Sequence, residues 1–138
     1  MGNMKFKVIE SFDLAEMARI GWVPVSRPKS VEVYIHTDDS GKIPHFHIRK
    51  YSKEGKFDWE SCIRIDSPEY FFHGQYRDRI STALAKQLDK MLRTVDENSV
   101  KGSTYWEKVV DAWNDNNSDV KVPKDAKQPD YTQLNGRG

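Results

Sequence analysis

His45 and His47 stand on either side of one phenylalanine, in Pro44-His45-Phe46-His47-Ile48. In a strand, side chains alternate between faces, so this spacing sends both imidazoles the same way. Such a pair can ligate a metal or exchange protons near neutral pH. A third histidine, His36, ends the alternating run Val31-Glu32-Val33-Tyr34-Ile35-His36. Glu60 and Cys62 follow in a third run, Phe57-Asp58-Trp59-Glu60-Ser61-Cys62-Ile63. Imidazole, carboxylate and thiolate are the donors that zinc and related ions take. His36, His45 and His47 are therefore the candidate ligands of a divalent metal, with Glu60 or Cys62 as a further donor. The spacings His-x-x-x-His and His-Glu-x-x-His do not occur.

The same side chains could serve acid–base chemistry. A carboxylate beside an imidazole holds its tautomer and raises its basicity, which makes His45, His47 and Glu60 the candidate catalytic set. Arg49 or Tyr34 could stabilise an oxyanion or a phosphate, and the set is similar to that of a metal-independent ribonuclease. Whether the chain is an enzyme stays open at this level. Cys62 would have His45 as partner for nucleophilic work, but a lone cysteine in an aromatic strand reads better as a small half-buried residue. His73, in Tyr70-Phe71-Phe72-His73-Gly74, reads as a packing or capping residue. Residues 42–56 carry Lys42, Arg49, Lys50, Lys53 and Lys56 against one acid, Glu54. Tyr34, His36, Arg49, Lys50 and Lys53 are thus the candidate binding residues for a phosphate-bearing ligand such as RNA.

Three strands must position these groups. Val31, Val33 and Ile35 form one alternating set. Phe46 and Ile48 form a second, and Phe57, Trp59, Ile63 and Ile65 a third. Turn residues separate them, Asp38-Asp39-Ser40-Gly41 and the loop 52–55. The apolar pattern sets register parity, because a one-residue slip moves every side chain to the other face. Tyr34 is expected opposite His47, Glu32 opposite Arg49 and His36 opposite His45. Across the next hairpin, Arg49 is expected opposite Asp58, His47 opposite Glu60 and His45 opposite Cys62. The core face then carries Val31, Val33, Ile35, Phe46, Ile48, Phe57, Trp59 and Ile63.

Ahead of the strands, 4–9 alternates like a short strand. Ser11 looks like the cap of a helix through Leu14, Ala15, Ala18 and Ile20, with Gly21 just past its end and 22–29 an extended connector. After the strands, Ile80, Leu84, Leu88, Met91 and Val95 mark a helix over about 77–95. Trp106, Val109, Val110 and Trp113 mark a second, capped by Ser103 or Thr104. The fold predicted is α+β: a three- or four-stranded antiparallel meander with two C-terminal helices packed on one face. Residues 1–30 form an N-terminal strand/helix extension, 31–117 a single core domain, and 118–138 a polar tail without a core of its own, flexible or, if ordered, laid across another element or subunit through Val120, Val122, Tyr131 or Leu134.

The 138 residues carry 22 basic and 21 acidic side chains, which excludes polyanion coating driven by bulk charge. One cysteine excludes an intrachain disulfide. No apolar run approaches the ~18 residues of a membrane span, and the expected location is cytoplasmic.

The Pro44-His45-Phe46-His47-Ile48 stretch resembles the Pro-His-x-His-Val signature of a family of small bacterial proteins catalogued as domain of unknown function 4160. Val33-Tyr34-Ile35 before it, Gly55-Lys56-Phe57-Asp58-Trp59 after it and the closing Asp111-Ala112-Trp113-Asn114 follow the same order over about 31–116. The resemblance implies a toxin–antitoxin-like setting and carries over Pro44, His45 and His47. This chain adds both terminal segments, a longer connector at 67–76 and an insert at 96–104. The function expected is a small module that binds or acts on a phosphate-bearing ligand such as RNA through its histidine face. The alternative is a non-catalytic interaction protein, an antitoxin partner or a phage accessory factor. It would work with a protein partner or as a homo-oligomer, and not on a membrane.

Overall fold

The structure, a computed structural model, describes residues 17–24, 31–36, 43–52 and 56–135. Four strands, β1 (Met17–Trp22), β2 (Val31–His36), β3 (His45–Tyr51) and β4 (Phe57–Arg64), form one antiparallel sheet in chain order. Two helices follow, α1 (Thr82–Leu92) and α2 (Tyr105–Asn116), then a 3-10 turn at Tyr131–Gln133. This is the α+β meander with two C-terminal helices that alternation and helical spacing predict. The strand expected at 4–9 lies outside the described residues, as do Lys42 and Lys53.

Period two places Val31, Val33, Ile35, Phe46, Ile48 and Ile63 in one buried cluster with Leu88 and Leu92 of α1 and Trp106, Val109 and Val110 of α2. Burying each such aliphatic or aromatic side chain contributes about 1.5–3 kcal/mol over leaving it exposed. Leu84 is half-buried at the margin of that core. The helix starts are local. Ser81 Oγ accepts from Leu84 N at 3.0 Å, so α1 begins at Thr82 and is shorter than the 77–95 expected. Thr104 and Glu107 form a reciprocal capping box at the head of α2.

The N-terminal expectation is corrected. Residues 17–22 are the strand β1, not the end of a helix. β1 pairs with β2 from Met17↔His36 to Trp22↔Glu32, with a bulge between Arg19 and Gly21. Ile20, at the bulge, is buried in the core. Gly21 is not a helix cap. A Cβ there would stand 2.9 Å from Tyr105 Cε1, so glycine serves the close passage of α2 over the strand. Sheet pairing and burial override a helix-compatible local pattern here.

Register is met in hairpin one and shifted in hairpin two. Tyr34↔His47 and Glu32↔Arg49 pair as expected. Across β3 and β4 parity holds, but the partners move by two residues: Arg49↔Glu60, His47↔Cys62 and His45↔Arg64. A bulge between Lys50 and Tyr51 sets Tyr51 opposite Phe57. Phe57 consequently leaves the core face. It is 38% exposed and packs on Tyr51, ring centroids 5.0 Å apart, and under the Arg49 guanidinium at 4.4 Å. Trp59 is half-buried against the core.

The described part of the tail is packed, which is the ordered alternative of the sequence reading. Val122, Tyr131 and Leu134 are buried. Trp113 Nε1 donates to Val120 O at 2.7 Å, and Asn114 exchanges two hydrogen bonds with Val122. Tyr131 meets Phe46 edge-on and donates its hydroxyl to Arg64 O at 2.7 Å. The tail has no core of its own, but it covers the end of the chain's core.

Candidate metal centre

Both sheet faces are covered, and the second cover makes the site. After β4 the chain turns back along that strand's outer edge. Arg64 N donates to Glu69 O and Phe71 N to Cys62 O, each at 2.9 Å. It returns to the same edge at Asp78, whose N donates to Glu60 O at 3.2 Å. Between these two clamps, 72–77 forms a loop. Gly74 takes φ +53 there, a left-handed conformation costly for other residues, and Tyr76 N closes the turn on His73 O at 2.9 Å. The loop lays His73 and Tyr76 on the histidine face. Tyr76 lies 4.4 Å from the His47 ring centroid, and His73 lies 5.3 Å from that of His45.

The histidine face is therefore closed to solvent at this pair. His47 has no exposed surface and His45 is 3% exposed. His47 stacks on Tyr34 at 5.1 Å, and His45 meets Phe71 at 4.9 Å and Trp113 at 5.1 Å.

His45, His47, Cys62 and His73 converge. Each can present one donor atom such that all four lie within 4.8 Å of one another. An ion bound tetrahedrally at ~2.0–2.3 Å from each donor sets donor separations of about 3.3–3.7 Å, so closure needs movements of about an ångström. Two ligands are already oriented. His45 Nδ1 lies 2.8 Å from Ile43 O, and His73 Nδ1 lies 2.9 Å from Phe71 O. A carbonyl only accepts, so in each ring Nδ1 carries the proton and Nε2 the lone pair. A metal-binding histidine commonly has its other ring nitrogen fixed in this way.

The sequence-derived candidates divide. His45 and His47 are in the cluster. Cys62 enters because the two-residue shift sets it opposite His47. That shift takes Glu60 out, opposite Arg49, where Gln75 Nε2 donates to its carboxylate at 2.7 Å. His36 is at the margin: its ring lies 4.8 Å from that of His47, and its Nε2 meets the Tyr76 hydroxyl at 3.3 Å. Tyr34 is buried beneath, and burial pushes its phenol above the usual tyrosine range while Arg49 opposes the rise. Arg49 belongs to another group. Its Nε donates to Glu32 at 3.1 Å, and its guanidinium lies 4.2 Å from the Tyr34 ring centroid. Glu32, wholly buried, also accepts from Arg19 and from the Tyr51 hydroxyl. Lys50 sits 3.9 Å from Asp58. His73, read from sequence as a packing residue, supplies the fourth donor, and Tyr76 was not singled out. The available signal was a histidine and four aromatics gathered over 70–76 around a turn-forming glycine.

No family model matches the chain, nor does any curated protein or solved structure. No helix among the described residues is long and apolar enough to cross a membrane.

Proposed function

We propose that this protein is a metal-centred binding module. A zinc-class ion held by His45, His47, Cys62 and His73 completes the domain, and the domain acts through partner binding rather than acid–base catalysis. The convergence of four nitrogen and sulfur donors from β3, β4 and the loop 72–77 carries this reading. Four protein donors fill a tetrahedral site, as in structural zinc centres, whereas catalytic centres keep a position open. Three of the four donor residues are buried. Enclosure also weighs against the ribonuclease-like use of His47, which requires a substrate to reach a side chain with no exposed surface. The toxin–antitoxin-like setting implied by the family resemblance fits a protein partner.

Metal analysis of the full chain, with zinc titration against a chromophoric chelator, tests the reading. One ion per chain is expected, with stoichiometric binding lost in His47→Ala and Cys62→Ala. RNA cleavage that persists in chelator and disappears in His47→Ala would replace the binding module by an acid–base enzyme.

A further inference from the structure

We infer that His73 is the exchangeable donor of this centre, and that the loop 72–77 is a latch closed by the metal. The inference rests on the metal-binding reading above and adds to it which ligand moves.

The four donors are not held alike. His45 and His47 lie on β3, an interior strand hydrogen-bonded on both sides. Cys62 lies directly opposite His47 on β4, and its carbonyl accepts from Phe71 N. Moving any of these three backbones would break sheet pairing. His73 stands in a loop whose two clamps, at Cys62 O and Glu60 O, stay made while the tip swings. The tip's hydrogen bonds are largely internal: Tyr76 N to His73 O, Arg77 N to Gln75 O, and Arg77 Nε to Gly74 O. The exposed Gln75–Glu60 hydrogen bond ties it to β4, and Tyr76, whose hydroxyl meets His36 Nε2 at 3.3 Å and whose ring lies on His47, ties it to β2 and β3. His73 is also the one ligand of the four that reaches solvent, being half-buried where the others are buried. The sheet thus offers a fixed three-donor platform, and the loop supplies a fourth donor from the solvent side. When His73 leaves, the ion keeps three protein donors and gains a position that a small nitrogen donor can fill.

Cobalt(II) titration of the full chain, followed by its thiolate and d–d absorption, tests this together with hydrogen exchange. In the wild type, cobalt or zinc should slow exchange at 72–77 by at least about tenfold and change the β3 and β4 amides far less. His73→Ala and His73→Gln should still bind cobalt, at least about tenfold more weakly. Added imidazole should bind these variants and return the absorption towards the wild-type form. His47→Ala should show no such rescue. If the wild type binds metal but exchange at 72–77 stays the same, or His73→Ala binds as tightly as wild type, the latch is wrong and the centre uses other donors. If the wild type takes up neither ion, the metal-binding reading itself is overturned.

Discussion

On the proposed metal-binding reading, removal of the ion should lower the melting temperature of this protein by an amount set by the geometry of the four donors. The four donors are brought by the fold to within about an ångström of closure, and the Nδ1 atoms of two imidazoles already face backbone carbonyls, which leaves Nε2 of each as the available donor. Little ordering is left for the ion to impose. A site of nanomolar affinity, at free zinc a thousandfold above its dissociation constant, adds about 4 kcal/mol to the folded state. For a domain of this size 1 kcal/mol moves the midpoint by roughly 3–5 °C, so the shift between zinc-buffered and chelator-containing solutions is about 15 °C. Differential scanning calorimetry at fixed pH measures it. His47→Ala serves as the control. The residue is wholly buried between Tyr34 and Tyr76, so its loss lowers stability by roughly 2–4 kcal/mol even without metal. Its difference between zinc and chelator, however, should fall close to zero. Equal zinc-dependent shifts in wild type and variant would refute the reasoning, because stabilisation would then come from an ion bound elsewhere.

Burial pushes the phenols of Tyr34 and Tyr131 above their ordinary value, so the unfolded chain ionises first. Stability should be pH-independent on their account below about pH 10 and then fall by about 1.4 kcal/mol per pH unit per tyrosine, up to the folded-state value. Alkaline denaturant titrations check this, and Tyr131→Phe should reduce the slope; an unchanged slope would contradict it. Glu32→Gln should cost about 3–5 kcal/mol, since it removes the charge that pairs with the buried Arg49 guanidinium, and urea unfolding that finds under about 1 kcal/mol would show the ion pair to be incidental. Truncation after Asn117 uncovers the core around Phe46 and Trp113. A loss of several kcal/mol is expected by the same unfolding assay, on the scale of deleting one or two buried aromatic side chains.

Much of this architecture is legible in the chain because its causes are local. Alternation from Val31 to Ile63 determines strand type and register parity, since side-chain direction has period two. It therefore assigns His45 and His47 to the face opposite Phe46 and Ile48 before any coordinate is known. Thr104, one of the two caps expected, marks the start of α2 because a cap needs only its next three residues, whereas the apolar stripe places the start of α1 at about 77 and does not single out its cap, Ser81. What tertiary structure decided is what depends on distant partners. The β3–β4 pairing lies two residues from the expected one, with the bulge at Lys50 and Tyr51 contributing one of them and the turn the other, and this exchanges Glu60 for Cys62 beside His47. Parity cannot detect a shift of two, which leaves every side chain on its own face. Residues 17–22 have a helix-compatible pattern, yet they became a strand because β2 offers an edge to pair and Tyr105 leaves room only for glycine at position 21. His73 joined the site through a loop clamped to β4 by two backbone hydrogen bonds, a placement no spacing encodes. Two of the four converging side chains share a strand and could be read from their spacing. The other two arrive through pairing and chain reversal, where backbone hydrogen bonding and burial decide which side chains meet.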